Sequence, residues 1–280
     1  MAKISFITFT RNSAGRISSL LNHIKDVVDE IVVVDGFSTD GTVEVAKRYG
    51  AKVYQRRPWG YPDPDRMFAL KMSSYKWILY LDDDERLCKK LKDDMRTLLE
   101  TAEEKNISAF SIVRINLSRN KKLLLGPFYP DRQIRIFRKD KVTYKGLVHE
   151  LPIVHGNIYH LPEDYYILHI PYSRKFFPEK LRYYAYLEAM EYYRHRAKCK
   201  LREALWKLAP LSTALLYVYN LARLLKYKSP FNIPTLIYIF RQSIYESLVH
   251  TLMKLRSGEE IRRAKRIEEK GLIQLLKLED

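Results

Sequence analysis

Residues 77–87 have the sequence WILYLDDDERL, and this stretch sets the expected fold. A short apolar run typical of a buried strand is followed at once by the carboxylates of Asp82, Asp83, Asp84 and Glu85. Residues 32–42, VVVDGFSTDGT, repeat the arrangement with Asp35 at the strand end. The carboxyl ends of parallel strands share one edge of a sheet, where ligands bind. We therefore expect both acidic stretches to face one crevice.

The pattern around these stretches predicts an α/β fold. Apolar runs that indicate strands alternate with segments of helical spacing, which is typical of a mostly parallel sheet covered on both faces. We expect one helix over residues 87–105, strands over 109–115 and 133–137, and helices from residue 178 onward, interrupted near the prolines. The predicted division is an α/β catalytic domain over 1–170 and a basic helical extension over 171–280.

Composition and cysteine usage restrict the class of protein. Hydrophobic residues make up 46% of the 280 residues, enough for a packed core. Cys88 and Cys199 have no metal-like spacing, so we expect free thiols in a reducing compartment. The N-terminal MAKISFITFTRN is a strand pattern without the layout of a signal peptide. These features predict a cytoplasmic location.

The positive charge is concentrated toward the C-terminus. Of the formal net charge of +17, residues 171–280 contribute +11. Such an excess indicates an anionic partner, and without a nucleic-acid motif we expect no nucleic acid. The apolar residues 208–222 are too few to span a bilayer, which takes about 20 residues. We expect the extension to lie on the inner face of the cell membrane; packing on the catalytic domain and a homodimer are the alternatives.

Neighbouring carboxylates repel, and a divalent cation relieves that repulsion. Mn²⁺ or Mg²⁺ suits the oxygen ligands of Asp82 and Asp84, which would share one side of an extended segment. A helix beginning near residues 84–86 would explain the same acids without a metal. Asp40 is explained as a helix cap, whereas Asp35 could accept hydrogen bonds from a nucleobase or a ribose. No phosphate-binding P-loop and no G-x-G-x-x-G motif is present.

Together with ISFITFTRN near the N-terminus and IRIFRKDKVTYKGLVHE at 134–150, these stretches resemble glycosyltransferase family 2, which has the GT-A fold. More narrowly, the pattern is similar to the branch of lipopolysaccharide core glucosyltransferases. The resemblance covers roughly residues 3–170. It implies a metal-dependent, inverting transfer of a sugar from a nucleotide-diphosphate donor, UDP- or GDP-type with UDP favoured, to a glycan or glycolipid acceptor.

The resemblance also implies roles for individual residues. Asp84 and Asp82 match the acids that hold metal and diphosphate, and Glu150 of the VHE motif matches the position of a catalytic base. The resemblance implies nucleotide-sugar contacts at Thr10, Asn12, Asp35 and Asp82, and we also expect such contacts at Asp65, Arg66 and Asp83. Ser13 and the stretch Asp65-Arg66-Met67 depart from the family pattern, which weakens any choice of nucleotide.

Further polar residues have two interpretations each. Arg135 and Arg138 could bind diphosphate or acceptor, or could lie on a solvated strand edge. His149 and His169 could reach the metal or the acceptor, or could be structural. Glu150 could instead be an exposed acid paired with Lys145. The rival functions are a nucleotidyltransferase, for which residues 15–18 (GRIS) are a poor signature, and a non-catalytic membrane-associated scaffold.

Overall fold

A computed structural model describes residues 2–57, 65–117, 129–144, 151–170, 209–226 and 233–253. The strands are Ile4–Thr10 (β1), Glu30–Asp35 (β2), Lys52–Gln55 (β3), Trp77–Tyr80 (β4), Glu85–Leu87 (β5), Ile107–Asn116 (β6), Asp131–Arg138 (β7), Val142–Thr143 (β8), Ile153–Val154 (β9), Asn157–His160 (β10) and Tyr166–His169 (β11). The helices are Ala14–Ile24 (α1), Thr42–Arg48 (α2), Arg66–Met72 (α3), Lys89–Asp93 (α4), Met95–Glu104 (α5), Ala209–Lys226 (α6) and Ile233–Met253 (α7), and residues Lys139–Lys141 form a 3-10 turn.

The described strands form one large mixed sheet in the order β3-β2-β1-β4-β7-β6-β11-β5, with β10 also paired to β6. Strands β3, β2, β1 and β4 are parallel, whereas β7 is antiparallel to both β4 and β6. Strands β8 and β9 form a separate pair. The predicted α/β class with a mostly parallel sheet is confirmed. The chain reverses its strand order around β1, which places the switch point of the sheet between β1 and β4.

Strand alternation divides the core between the two faces of the sheet. Phe6 and Leu79 pack on one face with Leu20 of α1, while Ile7 and Ile78 pack on the other with Leu70 of α3. All of these side chains are at least 95% buried. Burying each such side chain is worth roughly 1.5–3 kcal/mol. The continuous apolar runs of the sequence are therefore explained by helices on both faces.

The expected single helix over residues 87–105 is wrong. Residues 85–87 form strand β5, which pairs antiparallel with the distant β11. The helical remainder is divided at Asp94, whose carboxylate accepts a hydrogen bond from the Tyr165 hydroxyl at 2.7 Å. The helix start that we considered at residues 84–86 is not formed either. Contacts with residues about 75 positions away override the local helical preference.

Helices α6 and α7 contain the prolines Pro210 and Pro234. The sheet belongs to one compact unit and α6 and α7 to a second. The predicted boundary between residues 170 and 171 stays a prediction. Within the described helices, none combines the length and the apolar character needed to cross a membrane.

We predict that His23, in the last turn of α1, makes the fold sensitive to acid. Burial, together with the charges of Lys92 and Arg86, lowers the pKa of His23 from 6.5 to about 4. Between pH 6.5 and 4 the unfolded chain therefore binds a proton that the folded chain does not, and the free energy of unfolding falls as the pH falls.

Urea unfolding of the wild type and of His23→Gln at pH 7, 6, 5 and 4 measures this effect. The variant should lose less stability than the wild type over that range, because glutamine does not titrate. Parallel pH profiles for the two proteins would contradict the prediction. The difference between the profiles removes the contribution of the carboxylates, which both proteins share.

Candidate functional site

Strands β1, β2 and β4 bring their carboxyl ends to one edge of the sheet. Thr10 is the register partner of Asp35, and Ile7 is the partner of Tyr80, so Asp82 lies just beyond the end of β4 and beside the last residues of β1. The Thr8 hydroxyl donates to the Leu81 carbonyl oxygen at 2.9 Å and fixes the exit of β4. The two acidic stretches therefore meet at the switch point of the sheet.

The carboxylate of Asp35 is fully buried and is held by neutral donors. Its Oδ2 accepts hydrogen bonds from the Ser38 backbone N–H at 2.9 Å and from the Gln55 amide at 3.2 Å. Its Oδ1 accepts the Ser38 hydroxyl at 2.5 Å. A nucleobase or ribose could reach this carboxylate only when one of those donors moves aside. Of the donors, Gln55 makes the longest bond.

Thr10 and Asn12 build the wall beside Asp35. The Thr10 hydroxyl is hydrogen-bonded to that of Ser13, and the Asn12 side-chain oxygen accepts the Thr39 backbone N–H at 2.9 Å. Asn12 and the exposed Phe37 both have a positive φ, 45° and 57°, which is uncommon for residues other than glycine. Backbone of this kind persists where the surrounding contacts determine it, and such places cluster at binding sites.

The acidic segment is a turn rather than an extended strand, so the expectation that alternation places Asp82 and Asp84 on one side does not hold. The Glu85 N–H bonds to the Asp82 carbonyl oxygen at 3.0 Å and closes the turn. The two middle carboxylates have separate partners. Asp83 accepts from Arg16 Nε at 2.8 Å, and Asp84 Oδ2 lies 3.4 Å from His169 Nε2. The crowded charges are thereby directed apart.

Asp82 and Glu85 share a buried arginine. Arg135 Nη2 donates to Asp82 Oδ2 at 2.9 Å and to Glu85 Oε1 at 2.7 Å. Glu85 is fully buried and also accepts Arg114 Nη1 at 3.2 Å. The Tyr80 hydroxyl donates to Asp82 Oδ1 at 2.5 Å, and the Arg135 guanidinium lies 4.4 Å from the centre of the Tyr80 ring. This set of side chains is called the arginine–carboxylate network below.

The network sets the protonation of its members. Burial opposes the ionisation of Asp82, but the Arg135 charge and the Tyr80 hydrogen bond outweigh it and hold the pKa of Asp82 below its usual value. Burial raises the pKa of Tyr80, and the neighbouring Asp82 carboxylate adds to that effect. Asp83 differs, because burial raises its pKa despite the contact with Arg16. Of these two carboxyl groups, the surroundings therefore favour the ionised form of Asp82 and oppose that of Asp83.

The Asp84–His169 pair has a fixed orientation. His169 Nδ1 lies 2.8 Å from the Asn116 side-chain oxygen, and the Asn116 amide donates to Asp131 Oδ2 at 3.1 Å. A carboxylate only accepts, so the amide nitrogen of Asn116 faces Asp131 and its oxygen faces His169. Nδ1 must then carry a proton, so Nε2 is the ring nitrogen that faces Asp84.

Comparisons with known proteins identify the family of the chain. The family model for glycosyl transferase family 2 matches residues 5–157, more than half of the chain. The chain belongs to glycosyltransferase family 2. The resemblance seen in the motifs is thus confirmed, and with it the expected GT-A type of α/β fold.

Several individual proteins are similar to this chain. The chain is 35% identical over 151 residues to an uncharacterized glycosyltransferase of Rickettsia felis, covering 53% of this chain and 52% of that protein. It is 31% identical over 140 residues to the lipopolysaccharide core biosynthesis glycosyltransferase LpsC of Rhizobium meliloti, covering 46% and 49%. The chain thus spans about half the length of the curated relatives it matches. Among solved structures, S. aureus TarS 1–349 in complex with UDP-GlcNAc superposes with a TM-score of 0.49 at 20% identity, over 95% of this chain and 90% of that one.

The remaining predicted site residues of this family 2 chain differ in where the structure places them. Arg66 is buried, with its guanidinium 5.1 Å from the Tyr80 ring centre, and Asp65 accepts Arg56 Nε at 2.5 Å. Arg138 is the register partner of Trp77, at the opposite end of β4 from Asp82, and it is paired with Asp140. Arg138 is therefore not carried into the proposed site. His149 and Glu150 lie outside the described residues.

The sequence patterns missed the residues that hold the acids in place. The sequence predicts Glu85 only as a member of the acidic cluster, and Arg114, Asp131 and Asn116 are not among the predicted site residues. They lie on strands with no local motif, and their partners are far away in the sequence. The one signal in the sequence is an arginine inside each of two apolar strands, Arg114 and Arg135. An unpaired charge buried in such a strand would cost free energy, so a carboxylate partner is expected for each.

Removal of the Glu85 charge should destabilise the protein strongly. In Glu85→Gln two guanidinium groups lose their shared buried carboxylate, and breaking a buried pair of this kind costs roughly 3–5 kcal/mol. The matched control is Asp83→Asn in the same turn, whose pair with Arg16 is more accessible than the Glu85 pairs, with the two side chains 18% and 36% exposed, and should contribute about 1 kcal/mol or less. Urea unfolding at pH 7 compares the two. Equal losses in both variants would mean that the network does not hold the turn.

Proposed function

We propose that this chain transfers a sugar from a nucleotide-diphosphate donor to a glycan or lipid-linked acceptor, with inversion at the anomeric carbon and with a divalent metal. The observation that carries the proposal is the meeting of two different acidic sites at one sheet edge. Asp35 is kept among neutral donors, and Asp84 stands beside the imidazole of His169. The first suits a nucleoside and the second a cation with a diphosphate.

The nucleoside end is proposed to lie between β1 and β2. Asp35 would accept a hydrogen bond from the nucleobase in place of the Gln55 amide, and Thr10 and Asn12 would line the ribose. We favour UDP over GDP, following the motif resemblance. Arg66, which stacks near Tyr80, would supply positive charge close to the phosphates. The assignments of Asp35, Thr10 and Asn12 follow the family motif, and that of Arg66 rests on its position beside Tyr80.

The metal is proposed to bind Asp84 and His169, with Asp82 nearby. Within the described residues no group of three His, Cys, Asp or Glu side chains forms a complete ligand set. Mg²⁺ and Mn²⁺ sites commonly take one or two protein ligands and fill the others with phosphate oxygens and water. Asp84 and Nε2 of His169 fit such a partial set. A bound divalent ion would act as a Lewis acid on the departing diphosphate.

The acceptor side of the proposed site needs a catalytic base. An inverting transfer needs one base that takes the proton of the acceptor hydroxyl. Glu150 is our proposed base, on the strength of its place in the VHE motif. The similarity to LpsC, a lipopolysaccharide core glycosyltransferase, supports a glycan or glycolipid acceptor.

Calorimetric titration with UDP, with and without Mn²⁺, tests the donor site. The wild type should bind UDP more tightly with Mn²⁺, and Asp84→Asn and His169→Ala should each lower the Mn²⁺-dependent affinity by about tenfold or more. Asp140→Asn is the matched control, because it removes an acid at the other end of β4. It should bind like the wild type. If neither UDP nor GDP binds under any metal condition, the proposed reaction is wrong.

The base is tested by Glu150→Gln, with Glu163→Gln as a control at an exposed acid. Release of UDP from a UDP-sugar is measured with a panel of glycan acceptors. Glu150→Gln should keep its affinity for UDP and lose roughly 100-fold or more in turnover, in the range usual for a general base. Unchanged turnover in this variant would remove Glu150 from the role.

A further inference from the structure

Helix α6 exposes an apolar stripe along one side. Its most exposed large side chains are Leu215, Val218, Tyr219 and Leu225, which recur at helical spacing. The small Ala214 and Ala222 complete the same side. Every exposed side chain that the structure describes on α6 is therefore apolar. A surface helix in water normally places polar residues there.

Helix α7 repeats the arrangement. Ile233, Ile237 and Phe240 are 72%, 46% and 51% exposed and lie on one side of the helix. Arg241, at the margin of this side, is the one charged residue among the exposed side chains described on α7. The exposed apolar side chains of α6 and α7 are called the outer apolar face below.

The sides that these helices bury carry polar groups. Asn220, Thr235 and Ser243 are at least 99% buried. The Asn220 amide donates to the Ser243 hydroxyl at 3.3 Å, and Ser243 donates to the Ile239 carbonyl oxygen at 2.9 Å. This contact joins the two helices through their buried sides, which also hold Leu224 and Ile239. The pair therefore departs from a helix pair surrounded by water in its exposed side chains.

We propose that the outer apolar face rests in the interfacial layer of an anionic membrane, with α6 and α7 lying along the surface. An apolar stripe on a strongly basic segment is the usual form of such a contact. The net charge of +11 in residues 171–280 favours anionic lipid. The same charge opposes a second copy as the occupant, because two segments of like charge would face each other. The proposal does not depend on the transfer reaction.

Vesicle flotation of the full-length chain tests the proposal. The probes are vesicles of phosphatidylcholine alone and of phosphatidylcholine with phosphatidylglycerol. The test variant changes Val218, Leu225 and Ile237 to serine, and the matched control changes Leu151, Ile153 and Ile158, which are exposed on the sheet unit. Near-ultraviolet circular dichroism checks that both variants keep the fold. All six positions are exposed, so unfolding is not expected.

The wild type and the control should float with the anionic vesicles, less so at high salt, and bind neutral vesicles weakly. The test variant should partition at least about tenfold less, since each large apolar side chain contributes strongly to burial in lipid. No flotation of the wild type with anionic vesicles would overturn the proposal. Equal flotation of the wild type and the serine variant would also overturn it. The same holds if the wild type is a dimer in sedimentation analysis and the serine substitutions dissociate that dimer without changing vesicle binding.

Discussion

Two arginines on antiparallel strands, Arg114 and Arg135, hold the carboxylate of Glu85 where water does not reach it. A buried charge is tolerated only with partners of this kind, so the turn after β4 can take its shape only when β6 and β7 are paired beside it. The site is therefore built by the whole sheet. The parallel half supplies the strand end, and the antiparallel half supplies the positive charge that keeps the turn in place.

This constraint explains why negative charge is crowded in a basic protein. Arg135 forms ion pairs with both Asp82 and Glu85, and Arg16 on α1 forms an ion pair with Asp83. Among the residues that the structure describes, Asp84 has no arginine partner of this kind and faces Nε2 of His169. Asp35 is held by a different method, with neutral hydrogen-bond donors. The two acidic positions are thus chemically distinct, as a ligand with a nucleoside at one end and a diphosphate at the other would require.

The two units differ in the side chains that they expose. The sheet unit buries Phe6, Ile7 and Leu79 and exposes charged pairs such as Lys89–Asp93 and Lys90–Asp164. The helix pair buries Asn220 and Ser243 and exposes leucine, isoleucine and phenylalanine. Apolar side chains that face water cost free energy, and an apolar environment removes that cost. One chain can therefore combine a domain built for water with a surface suited to lipid.

The sequence alone determined the α/β class, the central strands and the location of Asp35 and Asp82 at strand ends, because continuous apolar runs and turn residues act locally. It could not show that residues 85–87 pair with β11, that the acidic segment is a turn, or that Asn116 orients His169. These features join residues far apart in the chain, and no local preference encodes them. Arg138 illustrates the limit, since only the strand register places it at the opposite end of β4. Tertiary pairing, rather than residue type, decided which charges face the crevice.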